Sequence, residues 1–122
     1  MTQEEKELLL KDLCARLPYG IIICRISDNS THKFIHSDIE ENIDQFSHFL
    51  EYSGIDDIKQ YLRPMSSMTE EEWEDFNNYR GVDGILMPIS NELDWLNEHH
   101  FDYRGLIEKG LALEAPKEMY GS

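Results

Sequence analysis

The chain has 122 residues, of which 40% are apolar and 30% are charged, and its 25 acidic and 11 basic side chains give a formal net charge of −14. This length is typical of one domain with one hydrophobic core. The strong negative charge works against direct binding to a nucleic-acid backbone. Apolar runs are too short to cross a membrane, and the acidic start does not resemble a signal peptide. We therefore expect a cytoplasmic protein that binds neither membranes nor nucleic acid directly.

The first predicted element is an amphipathic helix over residues 3–17. Thr2 and Glu5 have the spacing of a capping box, in which each residue satisfies a backbone N–H at the helix start. Leucines then recur every fourth position, and Pro18 forces the helix to stop. This helix therefore has both a start signal and a stop signal.

A β-hairpin is predicted to follow. Residues 21–26 are nearly all apolar and rich in isoleucine, which favours a strand covered on both faces. Residues 27–31 have the composition of a turn, so 32–36 are expected to return as the antiparallel partner. The predicted small antiparallel sheet is thus built around 20–26 and 32–36.

Three helical segments are predicted in the middle of the chain. Ser37 and Glu40 repeat the capping-box spacing, and a helix over about 38–52 follows. Its expected core-facing stripe consists of Ile39, Ile43, Phe46 and Leu50. Ile55, Ile58 and Leu62 predict a short helical segment that Pro64 closes, and Thr69 with Glu72 marks the start of a third long helix.

The last third should hold an extended segment, two helices and a strand. Pro88 cannot donate a backbone hydrogen bond, so the apolar run 85–89 is predicted to be an edge strand or an extended connection. Ser90 or Asn91 caps a helix that ends near His99, and Asp102 caps a short helix that ends at Gly110. Residues 111–113 are predicted to form a last short strand. We predict one helix-rich α+β domain over 1–116, followed by a flexible tail over 117–122.

Two runs of acidic side chains, over 38–57 and 70–75, allow two interpretations. Such runs usually form solvated helix faces that keep a protein in solution, and acids in the first turn of a helix also complement its dipole. The alternative is a functional acidic surface that imitates DNA and docks on a basic partner.

His99, His100 and Asp102 supply side chains of the kind that bind zinc or iron. Neighbouring histidines on a helix point about 100 degrees apart, so a metal site would need a distant ligand such as His36 or His48. The alternative interpretation is that these histidines bond the last carbonyls of a helix. A small metal-assisted hydrolase therefore remains one hypothesis. The chain has no glycine-rich phosphate loop and no nucleophile motif, and we expect no cofactor.

Aromatic and arginine side chains are the best candidates for a binding surface, since both types are enriched in the energetically dominant parts of interfaces. Large apolar groups such as Trp73 and Trp95 are more often buried in the core. Tyr61 beside Arg63, and Tyr103 beside Arg104, are more open to a partner. We therefore predict that these four residues bind a ligand or a partner.

Three blocks of the chain resemble a known group of proteins. They lie at 5–20, 57–72 and 94–116, and include KDLCARLPYG, YLRPMSSMTEEE and WLNEHHFDYRGLIEKGLALEAP. They are similar to a family of uncharacterised small proteins found in gut Bacteroidales, in their mobile elements and in their phages. The resemblance implies an intracellular bacterial or phage setting and supplies no catalytic residue.

The leading hypothesis is a non-enzymatic binding protein of phage or mobile-element origin. Small acidic phage proteins often act by binding, so its partner would be a host defence protein or a small nucleotide-like ligand. Self-association into a homo-oligomer is left open. The two alternatives are the metal-assisted hydrolase and the acidic DNA mimic.

Overall fold

The computed structural model describes residues 2–35, 38–81 and 89–120. These residues form a helix-rich α+β domain, as the sequence predicts. It has four α-helices and one open sheet of five strands, which is mixed and not purely antiparallel. The helices are α1 (Gln3–Arg16), α2 (Ile39–Ser53), α3 (Glu70–Gly81) and α4 (Ile89–Glu98). The strands are β1 (Ile21–Arg25), β2 (Ser30–Phe34), β3 (Ile58–Pro64), β4 (Phe101–Asp102) and β5 (Ala112–Glu114).

The sheet grows from the predicted hairpin. Strands β1 and β2 pair antiparallel, and the other edge of β1 pairs antiparallel with β3. The far edge of β3 is shared by two short parallel strands. Strand β5 pairs with Gln60–Leu62, and β4 pairs with Arg63 and Pro64. The sheet is therefore larger than the hairpin expected from the sequence, and it is mixed because chain segments return to β3 from the C-terminal third.

Strand β3 corrects the helical prediction made from Ile55, Ile58 and Leu62. Only a short 3-10 turn over Ile55–Asp57 is helical, and Ile58–Pro64 is extended. Ile58, Gln60 and Leu62 point inward and are buried, while the residues between them are less buried. A spacing of four residues fits both a helix and a strand, and the polar side chain of Gln60 conceals the alternation that distinguishes them.

Helix α1 packs its leucines into the larger of two hydrophobic clusters. Leu9, Leu13 and Leu17 meet residues of β1, β3 and the C-terminal strand region in this cluster. The predicted capping box is confirmed, because Thr2 Oγ1 accepts from the Glu5 N–H and Glu5 accepts from the Thr2 N–H. The smaller cluster joins α3, α4 and β4, and its buried members are Phe76, Trp95, Leu96 and Phe101.

Helix α2 confirms the predicted position but corrects the predicted stripe. Phe46 is buried, whereas Ile39 and Ile43 are about half exposed. Asn42 takes the inward position instead, and its amide donates to the Leu17 carbonyl at 3.4 Å. Asp38 accepts from the Glu40 N–H and caps the helix; the predicted cap, Ser37, lies outside the described residues.

The C-terminal third confirms the predicted helix after 89 and the last strand, but Asp102 begins no α-helix. Its two carboxylate oxygens accept from the Leu106 and Ile107 N–H groups and fix a series of turns. Gly110 ends these turns in the left-handed region at φ 75°. The predicted extended segment falls mostly within 82–88, outside the described residues. The domain limit at 116 stays a prediction; Tyr120, beyond it, packs on His100.

Candidate functional site

The four residues predicted to bind a partner fall into two separate groups. Tyr61 and Arg63 lie on β3, on the face opposite its inward-pointing residues. Tyr103 and Arg104 follow β4 directly. Tyr103 and Arg104 contact each other, since an Arg104 Nη2 donor lies 3.2 Å from the Tyr103 hydroxyl. Arg104 also bonds to a buried carboxylate on α1, which is absent from the residues predicted to form a site.

That carboxylate is Asp12, which is fully buried and accepts four hydrogen bonds. Arg16 donates from Nε to Oδ2 at 2.8 Å and from Nη2 to Oδ1 at 3.2 Å. Arg104 donates from Nε to Oδ1 at 2.9 Å, and Gln60 donates from Nε2 to Oδ2. We call Asp12, Arg16, Gln60, Tyr103 and Arg104 the Asp12 cluster. A carboxylate offers about four acceptor positions, so Asp12 is saturated.

The Asp12 cluster contains more positive than negative charge. Two guanidinium groups, from Arg16 and Arg104, form ion pairs with the single carboxylate of Asp12. Both Cζ atoms lie close to the centre of the Tyr103 ring, at 5.1 and 5.0 Å, where a cation is attracted by the ring face. The Tyr103 hydroxyl donates to Asn97 Oδ1 at 2.9 Å, which holds the ring in place.

Arg16 lies at the centre of this arrangement and has one unsatisfied nitrogen. Its side chain is fully buried, and Nη2 also donates to the Phe101 carbonyl at 2.6 Å. Nη1 is buried and has no hydrogen-bond partner within the part of the chain that the structure describes. Buried donors are almost always paired, so this nitrogen is exceptional. Arg104 is 19% exposed and forms the outer part of the same cluster.

Arg63 belongs to a second ion pair that is balanced in charge. Its two terminal nitrogens donate to the two carboxylate oxygens of Glu72, each at 2.6 Å. Its Cζ atom lies 4.2 Å from the centre of the Phe101 ring. The Arg63 guanidinium, together with hydrogen bonds from Thr69, lowers the pKa of Glu72 to about 2. The charge of Arg63 is therefore balanced by Glu72, whereas one of the two positive charges in the Asp12 cluster has no such counterpart.

Tyr61, the fourth predicted residue, packs beside the hairpin. Burial, followed by the influence of Cys24, raises the pKa of its hydroxyl. Its carbonyl accepts a hydrogen bond of 2.6 Å from the hydroxyl of Tyr120. Tyr61 thus contacts the end of the described chain, while Tyr103 contacts α1 and α4.

His99, His100 and Asp102 do not share a partner. His99 stacks on Trp95 with the ring centres 3.9 Å apart, and its Nδ1 lies 2.9 Å from the Trp95 carbonyl oxygen. His100 stacks on Tyr120 at 3.7 Å, and both Asp102 oxygens accept backbone N–H groups. Of the two distant ligands considered, His36 lies outside the described residues and His48 is exposed on α2. Over 2–35, 38–81 and 89–120, no group of three or more His, Cys, Asp or Glu side chains is placed to hold a metal ion.

Among the predicted metal ligands, His100 has the largest shift in pKa. Burial, followed by the nearby positive charge of Arg16, lowers its pKa to about 3. The imidazole is therefore neutral at pH 7. Arg16 also acts electrostatically on Tyr120, whose pKa is raised by burial. The stacked pair of His100 and Tyr120 lies beside Phe101, the residue whose carbonyl accepts from Arg16.

Asp12, Arg16 and Gln60 are the site residues that sequence reasoning missed. A signal for two of them was available in α1. Leu9, Leu13 and Leu17 define a core-facing stripe, and the positions i+3 and i+7 of that stripe are Asp12 and Arg16. A charged pair with i,i+4 spacing inside an apolar stripe indicates a buried ion pair. Gln60 carries no such signal, because the spacing of Ile55, Ile58 and Leu62 around it predicts a helix.

Two surface depressions lie away from the Asp12 cluster and share no residue with it. One has a volume of about 400 Å³ and is open; its lining residues are Glu5, Asp56, Lys109, Gly110 and Leu111. The other has a volume of about 320 Å³ and is mostly apolar; its lining residues are Gln3, Lys6, Glu7, Leu10, Leu50 and Ile55. Neither contains a buried polar group without a partner, so the Asp12 cluster is the stronger candidate.

Comparisons with protein-family models, with curated proteins and with solved structures find no match to this chain. Among the helices in the described part of the chain, none is long and apolar enough to cross a membrane. The features that bear on function are therefore the Asp12 cluster and the distribution of charged side chains.

Proposed function

We propose that this chain is a non-enzymatic binding protein that captures a partner or ligand through an anionic group. The observation that carries the proposal is the charge imbalance of the Asp12 cluster, in which Arg16 and Arg104 share one carboxylate. A buried excess of positive charge is costly unless something compensates it. In a chain with a net charge of −14, such a site offers a local attraction for an anion.

The contacts of His99, His100 and Asp102 favour a binding function over metal-assisted hydrolysis. A hydrolytic metal needs several protein ligands that converge and one open coordination position. His99, His100 and Asp102 instead bond or stack with three different parts of the protein. Their chemistry is used to hold α4 and the turns after β4.

The resemblance to small proteins of Bacteroidales, their mobile elements and phages supplies the proposed setting. In that setting the protein acts in the cytoplasm of a bacterial host. Its partner is a host defence protein or a small nucleotide-like ligand. Arginine recognises phosphate and carboxylate groups with paired N–H donors, so either kind of partner can present a suitable anion.

The proposal is tested by capture from a gut Bacteroidales lysate, with native mass spectrometry of the recovered protein. We expect the wild-type chain to retain a defined partner or ligand and Arg104→Gln to lose it. Arg25→Gln is the matched control, because Arg25 forms an exposed pair with Asp28 on the hairpin, away from the cluster. Metal-dependent turnover that disappears in His99→Ala or His100→Ala would overturn the binding function.

The acidic face of α2 favours a second candidate, the imitation of DNA. Glu40, Glu41, Asp44 and Glu51 are all exposed, and no ion pair to any of them is found in the described residues. A basic partner that normally binds DNA would be attracted to this surface, and added salt would weaken the attraction steeply.

The two candidates differ in which substitution abolishes capture. The double variant Glu41→Lys with Asp44→Lys reverses charge on α2 and leaves the Asp12 cluster untouched. Capture that survives Arg104→Gln, fails in the α2 variant and declines steeply with salt would favour DNA imitation. Capture with the opposite pattern would favour the Asp12 cluster.

A further inference from the structure

The unpaired nitrogen of Arg16 faces away from Asp12. The guanidinium uses its Nε and Nη2 edge to bind the two Asp12 oxygens, so Nη1 projects from the far side of the planar group. The hydrogen bond from Nη2 to the Phe101 carbonyl fixes this orientation. Nη1 is therefore a buried donor group that has no acceptor among the described residues.

Arg104 presents further donors beside Arg16. Both guanidinium groups bond to the same oxygen, Asp12 Oδ1, so they are close neighbours. Arg104 uses Nε for Asp12 and Nη2 for the Tyr103 hydroxyl, and its side chain is partly exposed. Since Asp12 already accepts four hydrogen bonds, it has no capacity for the remaining donors. The buried Nη1 of Arg16 therefore needs a second acceptor group.

The end of the described chain packs on His100, the residue next to Phe101. Tyr120 stacks on His100, and its hydroxyl donates to the Tyr61 carbonyl at 2.6 Å. His100 directly precedes Phe101, whose carbonyl accepts from Arg16, so the stacked rings lie beside a residue that Arg16 contacts. His100 is neutral at pH 7 and adds no charge of its own. A side chain near a chain terminus is easier to displace than one inside a helix or strand.

We propose that Arg16 and Arg104 form a phosphate-binding site, covered by Tyr120, that accepts free phosphate or the phosphate group of a small nucleotide. Phosphate fits because it is an anion with several oxygens, which can accept from both guanidinium groups in different directions. It also neutralises the excess charge of the cluster. This inference rests on the proposed capture of an anionic ligand and names the chemical class of that ligand.

The test is a titration of isotope-labelled full-length protein with sodium phosphate, followed through the assigned Nε–H NMR signals of Arg16 and Arg104. Ionic strength is held constant with sodium chloride, and sodium acetate and adenosine monophosphate are run in parallel. We expect saturable shifts of both arginine signals with phosphate and at most weak shifts with acetate. Tighter saturation by the nucleotide than by free phosphate would identify the nucleotide as the source of the group.

Variants of the outer residues make the test independent of whether substitutions of buried Arg16 fold. Arg104→Gln should raise the apparent Kd for phosphate at least tenfold. Tyr120→Ala should lower it severalfold, because it removes the cover while leaving every arginine in place. Arg25→Gln serves as the control, since it removes an arginine elsewhere, and should bind phosphate as the wild type does.

A fixed structural water in place of phosphate gives a clear alternative outcome. In that case the Arg16 signal does not respond saturably in the wild type or in Tyr120→Ala, and the phosphate site is overturned. Equal binding of acetate and phosphate would also overturn it. Should the protein still capture a partner from lysate, the proposed binding function would stand without this site.

Discussion

His100 shows how one residue can combine backbone strain, burial and electrostatics. It adopts the left-handed conformation at φ 65°, which few residues other than glycine and asparagine accept readily. Its carbonyl accepts the Arg63 N–H at 2.8 Å, so the strained backbone extends the pairing between β3 and the segment before β4. Its ring is held neutral beside Tyr120. The residue therefore links the sheet to the C-terminal end of the described chain.

We expect His100 to make the protein less stable as the pH falls from 6.5 toward 3. In the unfolded chain its imidazole binds a proton near pH 6.5, whereas in the folded protein its pKa is lowered to about 3. Between these values the unfolded state binds more protons, so acid favours unfolding. Between pH 6.5 and 5 the loss amounts to about 2 kcal/mol in the free energy of unfolding. Denaturant titrations at pH 7, 6 and 5 measure it.

The variant His100→Asn isolates this effect. Asparagine tolerates the left-handed backbone but has no titrating group in this range. Its free energy of unfolding should vary less between pH 7 and 5 than that of the wild type. The interval from pH 5 to 6.5 is chosen because the lowered pKa of Glu72 acts only below about pH 4.5. Parallel pH profiles for the two proteins would contradict a buried, neutral His100.

At the scale of elements, Glu72 fixes the start of α3 and attaches it to β3. The carboxylate accepts from the Thr69 N–H as part of the capping box and accepts two bonds from Arg63. We expect Glu72→Gln to lower the free energy of unfolding by about 1–2 kcal/mol, because it keeps the cap but loses the charge pair. Glu72→Ala should cost about 1 kcal/mol more, because it also loses the side-chain bond to the Thr69 N–H. Denaturant unfolding at pH 7 measures both.

The control for this prediction is Glu74→Gln on the same helix. Glu74 is exposed and forms no ion pair with another described residue, so its replacement should change stability by less than about 0.5 kcal/mol. Equal effects of Glu72→Gln and Glu74→Gln would mean that the pair between Arg63 and Glu72 contributes little. Equal effects of the two Glu72 variants would mean that the capping bond contributes little.

Helix starts and the hairpin could be predicted from the sequence because their signals are local. A capping box needs only two side chains three residues apart, and both Thr2 with Glu5 and Thr69 with Glu72 form one. The hairpin likewise depends on a β-branched run and an adjacent turn. Such features depend on side chains that are only a few residues apart, so they can be predicted without knowledge of the rest of the fold.

The Asp12 cluster could not be predicted because its partners are distant in the sequence. Asp12 bonds to Gln60 and Arg104, which are 48 and 92 residues away. Gln60 is inward-facing because it serves that carboxylate, and its polarity is what made β3 look unlike a strand. The wrong helical prediction for β3 and the missed Asp12 cluster therefore have the same cause, which is the buried polar side chain of Gln60. Of the predicted binding residues, Tyr103 and Arg104 do lie in the cluster, whereas Arg63 is paired with Glu72.

At the scale of the whole molecule, polar bonds connect the two hydrophobic clusters. Arg16 comes from α1, which packs in the larger cluster, and it donates to the carbonyl of Phe101, which packs in the smaller one. Strand β3 also contributes to both sides, since Leu62 lies in the larger cluster and Arg63 covers the Phe101 ring. Neither cluster can separate from the other without exposing the Asp12 cluster to water.

We therefore expect the clusters to unfold together, as one domain. Trp95 is 1% exposed in the smaller cluster, while Trp73 is 48% exposed. In Trp73→Phe, fluorescence reports Trp95 alone, and far-UV circular dichroism reports all the helices, including the longer α1 and α2. The two signals should give the same denaturant midpoint at pH 7. Unfolding of either cluster would leave the buried guanidinium of Arg16 without some of its hydrogen-bond partners.

A Trp95 transition at lower denaturant than the loss of helix would contradict this coupling and indicate two units of different stability. Asp12→Asn offers a sharper comparison, because it weakens the connection without removing apolar contacts from either cluster. If the buried ion pairs enforce cooperativity, the variant should be less stable and its two midpoints should separate. If apolar packing alone is responsible, both midpoints should shift equally, and the Asp12 cluster would then be retained for ligand capture rather than for cohesion of the fold.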